Sequence, residues 1–124
     1  TKTKGNKMKL HKPTPEEIYT ELKMIANKSA TEFLEKYGEH LYCGFAHVNI
    51  NPARGKFIKY LKDNNLGYKS YRGGFDMSWH NLIKGHAVAG TQSMDLKEYV
   101  MQKVADHLKI LLPQYETFMV SRPD

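Results

Sequence analysis

A chain of 124 residues, 40% hydrophobic and 26% charged, has material for one core and not for two. No apolar run approaches the roughly 18–20 residues that cross a bilayer, and no apolar segment follows the early lysines as in a signal peptide, so no membrane partner is expected. Cys43 is the only cysteine, which excludes an intramolecular disulfide and makes the cytoplasm the expected compartment.

The net charge of +6 is unevenly spread. Residues 1–15 hold five lysines and no acid, and residues 16–39 hold three lysines against six glutamates. Residues 52–90 carry five lysines, Arg54 and Arg72 against only Asp63 and Asp76. Residues 1–12 lack hydrophobic periodicity and are expected to form a disordered basic tail, able to hold nucleic acid or an acidic partner by charge alone. Residues 13–124 are expected to form one α+β domain.

Thr14-Pro15-Glu16-Glu17 predicts a helix start, with Thr14 as cap, Pro15 in the first position and Glu17 completing a capping box. Ile18, Leu22, Ile25, Ala26, Phe33, Leu34 and Tyr37 then recur at helical spacing, and Gly38 marks the end. Residues 42–50 alternate as a strand, with Tyr42, Gly44, Ala46, Val48 and Ile50 on one face and Cys43, Phe45, His47 and Asn49 on the other. Cys43 is expected as a small buried apolar residue. Asn51 is placed to cap a second helix, Pro52 to open it, and Ala53, Phe57, Tyr60 and Leu61 to pack it.

Residues 68–82 read as two strands or a bent hairpin with Gly73-Gly74 at the bend, Phe75, Met77 and Trp79 alternating with Asp76, Ser78 and His80. Trp79 is expected to be buried. Residues 83–91 have no period and form a loop. Residues 94–112 predict the last helix, with Asp95 and Glu98 as a capping box and Met94 stapled to Tyr99. A closing strand covers 115–120. The order is an N-terminal helix followed by a β-α-β-β-α-β unit, which implies a small mixed or antiparallel sheet with helices on one face.

Few chemistries are supported. Cys43 and His47 are four residues apart on a strand, about 13 Å, too far to share a metal ion. His80 and His86 could join through the loop, but no Cys-x-x-Cys or His-x-x-x-His accompanies them, so no metal is expected, and with no phosphate-cradling glycine motif of the Walker or dinucleotide type no cofactor is expected. Asp76 and Asp95 have no partner identifiable from the sequence. The segment Asn51-Pro52-Ala53-Arg54-Gly55-Lys56 is different, because a helix start aims free N–H groups and a dipole at an anion. Arg54 adds a planar fork suited to phosphate, and His47 and Asn49 end the preceding strand beside it. Tyr68, Tyr71, Arg72 and Trp79 offer stacking surfaces for a nucleotide or a single strand. His80 completes the candidate ligand-binding set of His47, Asn49, Asn51, Arg54, Gly55, Lys56, Tyr71, Arg72 and His80.

The patterns Cys-Gly-Phe-Ala-x-Val-x-Ile-x-Pro-Ala-Arg-Gly-Lys-Phe (43–57), Tyr71-x-Gly73-Gly74, Gln92-Ser93-Met94-Asp95-x-Lys97-Glu98 and Ser121-Arg122-x-Asp124 resemble a family of small bacteriophage proteins of uncharacterised function. The resemblance implies a viral origin and a host-cytoplasm setting, and no mechanism. The sequence reading is therefore a non-enzymatic phage accessory protein binding a phosphate-bearing ligand, nucleotide or nucleic acid, at the 51–56 helix start. The alternatives are an inhibitor of a host protein acting through a basic and aromatic surface, and a small phosphate-handling enzyme using His47, Arg54 and His80. Self-association is compatible with each.

Overall fold

The computed structural model describes residues 12–38 and 42–123. Of the expected basic tail only Lys12 falls among them. The first helix, α1 (Pro15–Tyr37), starts as its sequence dictates. The Thr14 hydroxyl accepts from the Glu17 N–H (3.1 Å) and the Glu17 carboxylate accepts from the Thr14 N–H (2.8 Å). Gly38, at a φ of 72°, closes the helix through an N–H bond to the Leu34 carbonyl. The apolar stripe is buried from Ile18 to Phe33, and it also takes in Tyr19.

The sheet contains β1 (Gly44–Asn51), β2 (Gly67–Lys69), β3 (Phe75–Met77) and β4 (Glu116–Pro123). Its order is β2-β3-β1-β4 and every pairing is antiparallel. This is the split arrangement in which β3 lies between β1 and β2. Helices α2 (Lys56–Asp63), α3 (Trp79–Ile83) and α4 (Met94–Leu111) complete the unit. The chain is therefore an N-terminal helix followed by a β-α-β-β-α-β unit with one short added helix. Among the described residues no helix is long and apolar enough to cross a membrane.

Helix α4 packs on β1 and β4, α1 packs on α4 and reaches α3 and α2, and α2 touches β2. Ala46, Val48 and Ile50 of β1 point into this helical side and are buried with Phe75, Met77, Leu96, Val100 and Val104. The opposite phase of β1 is only partly covered or exposed, as its alternation requires. Cys43 belongs to that opposite phase and is exposed, not buried as expected from its residue type.

Two further elements differ from expectation. The alternation of residues 68–82 stops at Met77. Trp79 is buried, at 5% exposure, but it opens α3 instead of continuing a strand. Asn81 helps here, its amide donating to the Ser78 hydroxyl oxygen at the helix start (2.9 Å). The cap of α4 is Ser93, whose hydroxyl oxygen accepts from the Leu96 N–H, and not an Asp95–Glu98 box. Glu98 instead accepts from the Ser121 hydroxyl of β4 (2.5 Å), which ties the helix to the sheet.

The start of α4 is held against the start of β1. Met94 N–H donates to the Tyr42 carbonyl (2.8 Å) and Gly44 N–H donates to the Gln92 carbonyl (3.1 Å). Buried Lys97 donates to the Gly44 carbonyl (3.0 Å). A Cβ on residue 44 would lie 2.4 Å from the Met94 sulfur and 2.8 Å from the Arg122 carbonyl oxygen. Gly44→Ala is therefore expected to destabilise by about 1–3 kcal/mol, the usual cost of overpacking, read as a lower denaturation midpoint at unchanged slope.

Burial, with a smaller contribution from Tyr60, pushes the Tyr19 phenol well above its ordinary value of 10.0. Its buried hydroxyl has no hydrogen-bond partner among the described residues. The folded state thus favours the neutral phenol, and that contribution is complete below about pH 10 and lost as pH rises towards the folded-state value. Chemical denaturation at increasing alkaline pH should show stability falling in this window. Tyr19→Phe should flatten the fall and cost little near neutrality, because the hydroxyl it removes makes no bond.

Candidate functional site

The turn between β1 and α2 does not form the helix start that its sequence predicts. The Asn51–Pro52 peptide bond is cis, and α2 begins at Lys56 instead of Pro52. Asn51 ends β1 and does not cap α2; its amide donates to Asn49 Oδ1 (2.7 Å). Gly55 occupies the cap position at a φ of 99°, with no side chain to offer. The Tyr115 hydroxyl takes that role from the neighbouring chain segment. It donates to the Arg54 carbonyl (2.7 Å) and accepts from the Ile58 backbone N–H, a bond that partly opposes the upward push of burial on its pKa. A Cβ on residue 55 would stand 2.5 Å from the phenolic oxygen. The dipole of α2 thus faces a side chain of the protein itself.

Arg54 and Lys56 are exposed beside this turn. They line a groove of about 740 Å³ that also reaches Lys12, Ile18, Leu112 and Gln114, between the starts of α1 and α2. This groove lies on the helical side of the molecule.

The other side of the sheet is built differently. Register pairs Tyr68 with Asp76, Asp76 with Asn49, and Asn49 with Phe118, so these four form one row across all four strands. Phe45 pairs with Arg122 and His47 with Val120 on the same face. Phe45, Tyr68 and Phe118 are large aromatic residues exposed at 43%, 67% and 51%. Tyr68 and Phe118 are three strand spacings apart, roughly 14 Å, and Phe45 lies about 13 Å along β1 from that row. Arg122 and Lys97 place their cations 5.5 and 5.3 Å from the Phe45 ring centre, within cation–π range.

Between the aromatics runs a polar network. Asp76 Oδ1 accepts from the Asn49 amide (2.8 Å), which also donates to the Gly73 carbonyl (3.1 Å). His47 Nε2 lies 3.5 Å from Asp76 Oδ2. Gly74 admits this network, since a Cβ there would lie 2.7 Å from the Asn51 amide nitrogen. Asp76 has partners that the sequence did not disclose, because they come from register and not from spacing.

Of the candidate residues, His47, Asn49 and Asn51 converge on this network. Tyr71 and Arg72 sit on the β2–β3 turn above it, the guanidinium 5.7 Å from the Tyr71 ring centre. His80 lines a cavity at its lower end together with His47 and Asp76. Arg54, Gly55 and Lys56 do not join them, lining other cavities. The sequence reading missed Phe45, Asp76, Phe118 and Arg122. The alternation of 45–51 and 116–122 was the available signal, but it becomes a site only once the strands are in register. Among the described residues no group of three His, Cys, Asp or Glu side chains is gathered to hold a metal ion.

Comparison of the chain with protein-family models, curated proteins and solved structures finds no match.

The role of the α2 start is tested by stability. Tyr115→Phe should cost about 1–3 kcal/mol by leaving the Arg54 carbonyl and Ile58 N–H without their partner, and Arg54→Ala should stay within about 0.5 kcal/mol, as for other exposed side chains. Denaturant midpoints of the two variants check this ordering.

Proposed function

We propose that this protein binds a phosphate-bearing ligand, single-stranded nucleic acid, across the open face of its sheet. The observation that carries the reading is the exposure of Phe45, Tyr68 and Phe118 on one sheet face that no described element covers, with Arg122 beside Phe45 and a polar network between them. Aromatic side chains stack bases of any sequence because every base has a π-face. The guanidinium supplies the phosphate contact. An antiparallel four-stranded sheet with helices behind it and aromatics in front is also the platform of RNA-recognition modules, an analogy of architecture alone. The α2 start is the weaker location, because the Tyr115 hydroxyl already lies against it, bonded to the Arg54 carbonyl and to the Ile58 N–H. The resemblance to small bacteriophage proteins supports a viral accessory role in a host cytoplasm.

Docking of a host protein on the same face is the second reading, favoured by β4. It is an edge strand of eight residues that carries exposed Phe118, and edge strands accept added strands. The enzyme reading has less support, since Arg54 lies apart from His47 and His80.

Fluorescence anisotropy with labelled oligo-dT and oligo-rU tests the proposal. Affinity should fall steeply between about 50 and 200 mM salt. Phe45→Ala, Tyr68→Ala and Phe118→Ala should each weaken binding by about 1–3 kcal/mol if they stack a base, with melting temperature little changed. Arg122→Ala should reduce the salt slope, and Arg54→Ala should leave binding unchanged. Loss of binding in Arg54→Ala with none in the three aromatic variants places the ligand at α2 and overturns the sheet-face assignment. Failure of the wild-type protein to bind either oligonucleotide overturns the function.

A further inference from the structure

We infer that two copies of this chain join edge to edge through β4, about a twofold axis at Met119, so that two four-stranded sheets become one antiparallel sheet. The contact uses the outer backbone of β4 and does not depend on nucleic acid.

The two edges of the sheet are built differently. β2 is three residues long and carries exposed Lys69, a short and charged edge of the kind that resists added strands. β4 is eight residues long, contains no lysine and holds its proline at the last position. It pairs residue for residue with β1 from Glu116 to Pro123, so no bulge turns its outer edge away. Among the described residues no backbone group bonds to that outer edge.

Gly44 fixes which groups of β4 face outwards. Its N–H donates to the Gln92 carbonyl and its carbonyl accepts from Lys97, so it exchanges no bonds with Pro123 opposite. Pro123 in turn has no N–H to give. Bonded and non-bonded pairs alternate along an antiparallel ladder. Phe118, Val120 and Arg122 therefore bond to β1, and Thr117, Met119 and Ser121 turn their N–H and carbonyl groups to the free edge.

A twofold axis perpendicular to the sheet keeps the open faces of both copies on one side. With that axis at Met119, Met119 meets its own counterpart and Thr117 meets Ser121 of the second copy. Each of these pairs exchanges two backbone bonds, and all three outward residues are satisfied. The pairs between them are of the closer, non-bonded kind, where side chains meet. Glu116 stands opposite Arg122 of the second copy, and Phe118 opposite Val120 of the second copy. Glu116, Phe118 and Arg122 are exposed in the single chain. Opposite charges thus meet at both ends of the seam, and apolar side chains meet between them. Moving the axis to Phe118 sets Glu116 against Val120, and moving it to Val120 sets Phe118 against Arg122. The Met119 register alone avoids both mismatches while using every outward group.

Sedimentation velocity of the full chain without nucleic acid, from about 1 to 500 µM, tests the pairing across weak and moderate affinities. The mass should rise from one chain to two and no further, because an isologous contact closes on itself. Glu116→Arg and Arg122→Glu each set like charges opposite one another at both ends, and each should raise the dissociation constant about tenfold or more. An equimolar mixture of the two variants should dimerise again, because every Arg then faces a Glu. Amide hydrogen exchange followed by NMR reads the register. The Thr117, Met119 and Ser121 amides should gain protection with concentration, while those of Phe118, Val120 and Arg122 are protected throughout. A wild-type chain that stays monomeric overturns the inference and leaves the edge to a strand of a different protein. So does a dimer unchanged by folded Glu116→Arg, or a pair of folded variants that stay monomeric when mixed. A dimer in which the three outward amides exchange alike at all concentrations also overturns it. That last measurement uses the wild-type chain, so it decides even if a variant fails to fold.

Discussion

The alternation of β1 is the constraint on which the rest of this structure depends. This strand pairs with β4 along all eight of its residues and with β3 from Val48 to Ile50, while carrying α4 on its inner face. Ala46, Val48 and Ile50 are at most 4% exposed, and burying a side chain of this kind contributes about 1.5–3 kcal/mol for the larger two. A one-residue slip would move all three to the open face and bring Phe45, His47, Asn49 and Asn51 into the core. The same burial that fixes the register therefore also fixes which side chains meet solvent. Core and candidate site are two consequences of one two-residue period.

The seating of α4 on β1 shows how closely the two layers are matched. Gly44 leaves no room for a side chain, Ser93 caps the helix from within a short bridge to Cys43, and Lys97 sends its ammonium to the Gly44 carbonyl. A buried ammonium needs such an acceptor, because its desolvation is otherwise costly. These contacts place Lys97 behind Phe45, while Arg122 reaches the same ring from β4. The positive charge near the open face thus comes partly from the helical layer, through the start of the strand.

Around the α2 start the same physics leads away from a ligand site. A helix needs partners for its first N–H groups, and here that of Ile58 is met from inside the protein by the Tyr115 hydroxyl. Gly55 makes this possible by having no Cβ and by accepting a positive φ. Part of what makes a helix start attractive for an anion is here used for the fold's own closure. The open face, by contrast, leaves the rings of Phe45, Tyr68 and Phe118 exposed.

Much of the architecture was legible in the chain alone. The capping box at Thr14 and Glu17, the period of α1, the two faces of residues 44–50 and the β-α-β-β-α-β order rest on local patterns, in which each residue's state depends on neighbours a few positions away. What the sequence could not decide was long-range. That Tyr115 would cap α2 across 61 residues, that Asp76 would stand between His47 and Asn49, and that Phe118 would share a row with Tyr68 depend on strand order and register. Spacing carries no information on these, because antiparallel strands of like alternation pair in several registers until the helices are packed behind them. Local periodicity determined the elements and their buried faces, and tertiary packing decided which exposed residues became neighbours.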